Sequence, residues 1–354
     1  MRRMDRRQLL AAGLSAPFLL GGGGRAHAKE PIYIADMHSH LFFFGDNSAA
    51  SRPLGASMAA GKATLVAWSL VGDLLWLRPT AQGLKQKGAP KAGAALEWFE
   101  QELSRIKQHI AGQGLKIVQT NADVDLALKG EPHVVLAIEG ASFVDGDLGQ
   151  LKRAFELGVR HIQLVHYIKN TIGDFQTERP SHNGLSSFGK TVVEECNRLG
   201  ILIDLAHATG DVVSQALGLS KAPMVWSHSS VTRTSKPNWS MPTGKARQLT
   251  LETAKAIAAK GGVVGLWALR SDVGATPEAY AERLSEMADW LGEDHVGFGT
   301  DMNALAGPAI ADYVGLRRVV ETWERRNVPE ARIRKIAIEN YARVLKQALT
   351  GRSA

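Results

Sequence analysis

The chain repeats one pattern: a short apolar run ending in a residue that can bind a metal or move a proton. In its first instance, Ile32-Tyr33-Ile34-Ala35 leads into Asp36-Met37-His38-Ser39-His40. Side chains alternate along a strand, so His38 and His40 point to one side, as two ligands of one metal must. Segments 134–139, 201–207, 223–228 and 295–301 have the same form and end in Glu139, His207, His228 and Asp301. One histidine near a strand end is ordinarily just a hydrogen-bonded residue. A series of them calls for a fold that brings many strand ends to one place.

Candidate strands cover 32–38, 63–69, 116–120, 134–139, 160–166, 201–207, 223–228, 262–267 and 296–301. Several are continuous apolar runs, as parallel strands covered on both faces require. Between them lie helical patterns at 95–111, 148–157, 187–199, 251–260 and 277–291, and 310–349 is helical again, with Pro329 starting a final helix near Glu330. Right-handed strand–helix units of this kind close into an α/β fold, a (β/α)8 TIM-type barrel. Nine strands are one too many, so the shortest, 116–120, is read as an accessory. At 354 residues and 45% hydrophobic, the chain suits one large barrel as well as it suits two smaller domains. A barrel would gather His38, His40, Glu139, His166, His207, His228 and Asp301 at one mouth. His109, His133, His161, His182 and His295 fall on helices, in loops or at strand starts and receive no role. The Gly-, Ala- and Ser-rich stretch 41–62 reads as a loop over that mouth.

The amino terminus reads as an export signal. Arg2, Arg3, Arg6 and Arg7 precede an apolar run from Leu9 to Leu20, followed by glycines and the small-x-small sequence Ala26-His27-Ala28. Asp5-Arg6-Arg7-Gln8-Leu9-Leu10 resembles a bacterial twin-arginine signal, with cleavage expected between Ala28 and Lys29. This gives a signal over 1–28, a single barrel domain over 29–354, and a periplasmic or secreted product. The apolar run is too short for a stable membrane anchor. The formal charge of +7 is concentrated here, because the first 28 residues hold five Arg and one Asp. The remainder is close to balanced, which argues against a nucleic-acid partner. Cys196 is the sole cysteine, so an intramolecular disulfide and a cysteine-based zinc finger are excluded; it reads as a small buried residue.

Taken in order, Asp36-Met37-His38-Ser39-His40, Ala137-Ile138-Glu139-Gly140, Gln163-Leu164-Val165-His166, Ile203-Asp204-Leu205-Ala206-His207, Trp226-Ser227-His228-Ser229-Ser230, Arg247-Gln248-Leu249-Thr250, Gly261-Gly262-Val263-Val264-Gly265 and His295-Val296-Gly297-Phe298-Gly299-Thr300-Asp301 resemble the renal (membrane) dipeptidase family of the amidohydrolase superfamily. The resemblance implies a binuclear zinc hydrolase. In it His38 and His40 hold one Zn2+, His207 and His228 hold the other, and Glu139 and a water or hydroxide bridge the two. It further implies that Asp301 carries the proton, that His166 contacts the carbonyl oxygen as it becomes an oxyanion, and that Arg247 grips the carboxylate at the end of a small dipeptide-like substrate. A homodimer is compatible with it.

Two positions depart from the family pattern. His40 stands where the family usually has Asp, and Asn303-Ala304 where it usually has an aspartate and a glycine. Imidazole keeps a zinc ligand at position 40 but removes a negative charge. The expected activity is therefore dipeptide hydrolysis, with another amide, a lactam or an ester as the alternative. A non-catalytic metal- or ligand-binding barrel is the other contender, which Asp301 disfavours because a structural site needs no proton carrier.

Overall fold

In this computed structural model, residues 30–40, 54–80, 83–233 and 247–352 are described. The expected export signal at 1–28 and the 41–53 part of the expected mouth loop lie outside them. The strands are β1 (Ile34–Ser39), β2 (Ala63–Val71), β3 (Leu77–Thr80), β4 (Gly83–Gln86), β5 (Lys116–Ile117), β6 (His133–Glu139), β7 (Val159–Gln163), β8 (Leu202–Asp204), β9 (Val225–Trp226), β10 (Val263–Leu266) and β11 (Val296–Phe298). The principal helices are α1 (Leu54–Gly61), α2 (Ala94–Gly112), α3 (Asn121–Leu128), α4 (Gly149–Glu156), α5 (Ser187–Leu199), α6 (Gly210–Leu219), α7 (Leu251–Ala259), α8 (Arg270–Val273), α9 (Pro277–Leu291), α10 (Tyr313–Arg325), α11 (Glu330–Arg334) and α12 (Asn340–Leu349).

Parallel strands run β1-β2-β6-β7-β8-β9-β10-β11, and β5 pairs with β6 off this path, as the accessory reading expects. The ring closes where Asp301 N donates to His38 O and His40 N donates to Met302 O, both at 3.0 Å. This is a (β/α)8 TIM-type barrel.

Period-two alternation sorts each strand into two cores. Along β2 and β6, Val66, Trp68, Val134, Leu136 and Ile138 face the helical layer, while Leu65, Ala67, Val135 and Ala137 fill the barrel with Ala35, Met37, Leu202, Val225 and Val263. The inner row then continues upward into Ser69 and Glu139. Tyr341, Val344 and Leu345 of α12 close the barrel from below. The outer helices show the complementary period, for example Phe99, Leu103, Ile106 and Ile110 on one buried face of α2. Their starts are fixed by side-chain caps, with Ser186, Thr209, Thr250 and Thr276 each accepting a backbone N–H from the first turn. Cys196 is buried on α5, and burial pushes its thiol up to about 12, in keeping with a packing residue.

Two expectations need correction, and one element was not foreseen. Part of the expected loop 41–62 is helical, because Leu54, Met58 and Gly61 of α1 are buried; Gly61 presses so closely on the Tyr313 backbone that a Cβ would collide with it. The hairpin β3–β4 has too weak an alternation to be read from sequence, and it packs Leu77 and Leu84 beside Tyr167 and Ile168. Finally, β7, β8, β9 and β11 stop two or three residues before His166, His207, His228 and Asp301. The site residues sit on the turns that follow, and His207 and Asp301 adopt left-handed backbones at φ of 69° and 55°. Side chains held in that sparsely populated region cluster at functional sites.

Candidate metal centre

Simple alternation would put Asp36 on the same face as His38 and His40. A register shift in the β1–β2 pairing between Asp36 and Ser39 changes this, leaving Met37 in the barrel core and turning both histidines into the mouth. Asp36 instead ties β1 to β11: Oδ1 accepts the Thr300 N–H at 2.9 Å and Oδ2 accepts the Thr300 hydroxyl at 2.6 Å. Asp204 does the same for β8 and β9, its Oδ1 accepting the N–H groups of Ala206 and Ser227 at 2.9 Å each. The turns that carry the histidines are thereby fixed from beneath.

Ser69 sets both histidines of the first pair. Its hydroxyl lies 3.1 Å from His38 Nδ1, and its carbonyl accepts from His40 Nδ1 at 3.0 Å. Donation from Nδ1 leaves a lone pair on His40 Nε2, which faces His38 Nε2 across 3.1 Å. His207 and His228 form a second pair, also with 3.1 Å between their Nε2 atoms, and Ser227 Oγ lies 2.9 Å from His228 Nδ1. Glu139 stands between the pairs. Its Oε1 is 3.2 Å from His207 and 3.5 Å from both His38 and His228, and its Oε2 is 3.5 Å from His40. Gly140 follows with φ of 85°, and a Cβ there would come within 2.8 Å of the His166 Cβ, so only glycine lets Glu139 and His166 share this space. Asp301 Oδ1 approaches His40 Nε2 to 3.3 Å.

This donor set suits divalent metals. Three buried groups each bring their ligand atoms within 4.8 Å of one another: His38, His40 and Glu139; Glu139, His207 and His228; His38, His228 and Asp301. Imidazole and carboxylate are zinc-type donors, and facing lone pairs have no favourable arrangement unless a proton or a cation sits between them. Burial, joined by the charges of Arg247 and His166 for His207 and of His38 for His228, holds both imidazoles well below the usual range and so keeps them neutral. Burial would raise Glu139, but His166, His38 and His207 together hold it well below the ordinary carboxylate range. For His40, burial lowers proton affinity, but Asp301 and Glu139 outweigh it and raise the pKa; a cation at Nε2 would compete with that proton. His207 Nδ1 has no hydrogen-bond partner among the described residues.

Beside the second pair lies a polar group in which sequence reasoning found only two members, His166 and Arg247. Asp73 Oδ1 holds His166 Nδ1 at 2.7 Å, and Oδ2 accepts the Tyr167 and Ile168 N–H groups at 3.0 and 3.1 Å. Arg247 is 1% exposed; it donates from Nε to Gln176 Oε1 at 3.0 Å and from Nη1 to the Tyr167 hydroxyl at 3.1 Å. Asp73, Tyr167 and Gln176 were missed. An acid just past the end of an apolar strand was a usable signal for Asp73. Of the histidines given no role, none joins a candidate metal group among the described residues.

A family model described as membrane dipeptidase, peptidase family M19, matches residues 57–353. The chain belongs to the membrane dipeptidase family. Within this family's reach, dipeptidase verJ of Clonostachys rogersoniana is 27% identical over 238 residues, covering 65% of this chain and 59% of that protein. The match therefore spans less than two thirds of that curated relative. Among solved structures, a dipeptidase AC of family M19 aligns with a TM-score of 0.73 at 23% identity, covering 90% of this chain and 99% of the other. The probable dipeptidase PvdM from Pseudomonas aeruginosa aligns at 0.74 and 19% identity, covering 91% and 96%. A metallopeptidase from Rhodobacter sphaeroides, solved with a phosphinate mimic of the dipeptide L-Ala-D-Ala, aligns at 0.69 and 22%, covering 90% and 99%. At these identities the structural matches speak for the membrane dipeptidase fold.

Proposed function

We propose that this membrane dipeptidase family member is a binuclear zinc dipeptidase that cleaves the peptide bond of small dipeptide-like substrates. The observation that carries the reading is the Glu139 carboxylate shared between two buried imidazole pairs, with Asp301 alongside. His38 and His40 would hold one ion, His207 and His228 the other, and Glu139 both. Held there, the ions would supply Lewis-acid polarisation of a carbonyl and a water acidic enough to be a nucleophile near neutral pH. Asp301 accepts the water proton and delivers it to the leaving amine, the role of a carboxylate placed at the reacting centre. His166 has spent its Nδ1 hydrogen on Asp73, so it donates from Nε2 to the developing oxyanion as an imidazolium. Burial opposes that charge, but Asp73 and Glu139 raise the His166 pKa and favour it. Arg247 pairs with the terminal carboxylate. The solved relative bound to a dipeptide mimic supports this substrate class.

The test compares a dipeptide with its carboxyl-amidated analogue. Arg247→Met should raise KM for the free acid by roughly 10-fold or more, from about 1.5–3 kcal/mol of charge-assisted hydrogen bonding, and leave the amide nearly unaffected. Equal losses, or a wild type that prefers the amide, would favour hydrolysis of another amide, a lactam or an ester. His40 in place of a carboxylate is the feature that keeps this second reading in play. We also propose export by the twin-arginine route to the periplasm, on the motif Arg6-Arg7. Replacing both with Lys should retain the precursor in the cytoplasm; mature protein still reaching the periplasm would refute it. Among the described residues, no helix is long and apolar enough to cross a membrane.

A further inference from the structure

Arg247 is a buried cation whose fork is only partly used. Nε and Nη1 are bonded to Gln176 and Tyr167, while among the described residues Nη2 has no partner and no carboxylate pairs with the guanidinium. A buried, unpaired charge is costly unless an anion completes it. The Tyr167 hydroxyl is in a related state. It accepts from Arg247, and its own hydrogen is uncommitted among the described residues. Its ring lies edge-on to His207 at 4.9 Å and tilted against His166 at 4.4 Å, which places the phenol between the second histidine pair and the guanidinium. The chain is stiff here, because Asp73 holds the Tyr167 N–H and the preceding imidazole together.

We infer that Tyr167 is a specificity-determining residue: its O–H and the Nη2 edge of Arg247 form a two-donor seat for one carboxylate of the substrate. Accepting from Nη1 polarises the phenol and strengthens its donation, and the two hydrogens can each meet one oxygen of a planar carboxylate. A tyrosine serving only to pack would need no hydroxyl at this point. The inference rests on the dipeptidase reading and adds to it a residue that selects for the free acid.

The test uses the zinc-loaded full chain as wild type, Tyr167→Phe, Arg247→Met and the double variant, with a dipeptide and its carboxyl amide as substrates. Binding of a phosphinate dipeptide mimic, as free acid and as carboxyl amide, is read by calorimetry. Phenylalanine keeps the ring packing. Tyr167→Phe should raise KM for the free acid about 10-fold with kcat within about 2-fold, weaken the free-acid mimic similarly, and change the amides by less than about 2-fold. The double variant should lose little beyond Arg247→Met alone, since both donors serve one group. If wild type prefers the free acid but Tyr167→Phe keeps that preference, or the two losses add fully, the Tyr167 inference fails and the dipeptidase reading stands. If wild type shows no preference for the free acid, both fail.

Discussion

Oδ1 of Asp73 accepts a hydrogen bond from Nδ1 of His166 at 2.7 Å, and the other oxygen of the same carboxylate holds the two backbone N–H groups that follow. One acid beyond the end of β2 thus orients the imidazole facing Glu139 and the peptide that carries Tyr167.

Asp73→Asn leaves one carbonyl acceptor for three donors and removes the charge that favours an imidazolium at His166. Turnover should fall roughly 10–100-fold, the worth of a charge-assisted hydrogen bond, while zinc content stays that of wild type. Steady-state kinetics with parallel elemental analysis checks this; unchanged turnover would remove Asp73 from the machinery.

Among the described residues, Glu139 is the carboxylate that lies within 3.5 Å of both imidazole pairs. Purified wild type should carry about two zinc ions per chain, and Glu139→Gln about one or fewer, because an amide is a poor bridging donor. Zinc addition should raise the Tm of wild type more than that of the variant. Fully active wild type with a single ion would end the dinuclear reading.

Asp301→Asn keeps all five of His38, His40, Glu139, His207 and His228. Turnover should drop roughly 100-fold or more with metal retained, since an amide cannot take up the proton. Metal lost together with activity would instead make Asp301 a ligand.

The pH dependence of stability has a source in Asp174. Its carboxylate accepts N–H groups from Ser181, His182 and Gly184 at 2.6, 3.0 and 2.9 Å. Burial works to raise its pKa, but these backbone bonds and His182 hold it below the ordinary value. A folded-state pKa below the unfolded one adds stability above about pH 4, and that stability is lost as pH falls through the folded pKa. Asp174→Asn should therefore be less stable than wild type at pH 7, and the gap should narrow below about pH 4. Urea melts at pH 7, 5 and 3 test this, and a constant gap would show that charge plays no part.

The barrel was legible because several of the parallel strands are continuous apolar runs, and the metal cluster because Glu139 ends one such run and the other residues of the cluster lie at or within three residues of a strand end. What could not be read depends on contacts between distant segments. Alternation gives no warning of the register shift that turns His38 into the mouth above Met37, because that shift arises from pairing with β2. Tyr167 looks like one more aromatic after a strand until Arg247, far along the chain, is brought to its hydroxyl. The helix Leu54–Gly61 is masked by its small residues; its packing against Tyr313, and not its own period, makes it regular.

The underside of the barrel depends on one helix for its closure. Tyr341, Val344 and Leu345 fill the space beneath strands that begin at Ile34, and the Tyr341 hydroxyl meets His161 Nδ1 at 3.1 Å inside the ring. Without α12, the apolar lower half of the ring loses the cover of Tyr341, Val344 and Leu345. Chains interrupted before α12 would therefore carry a water-exposed interior, a form for chaperones and proteases to remove.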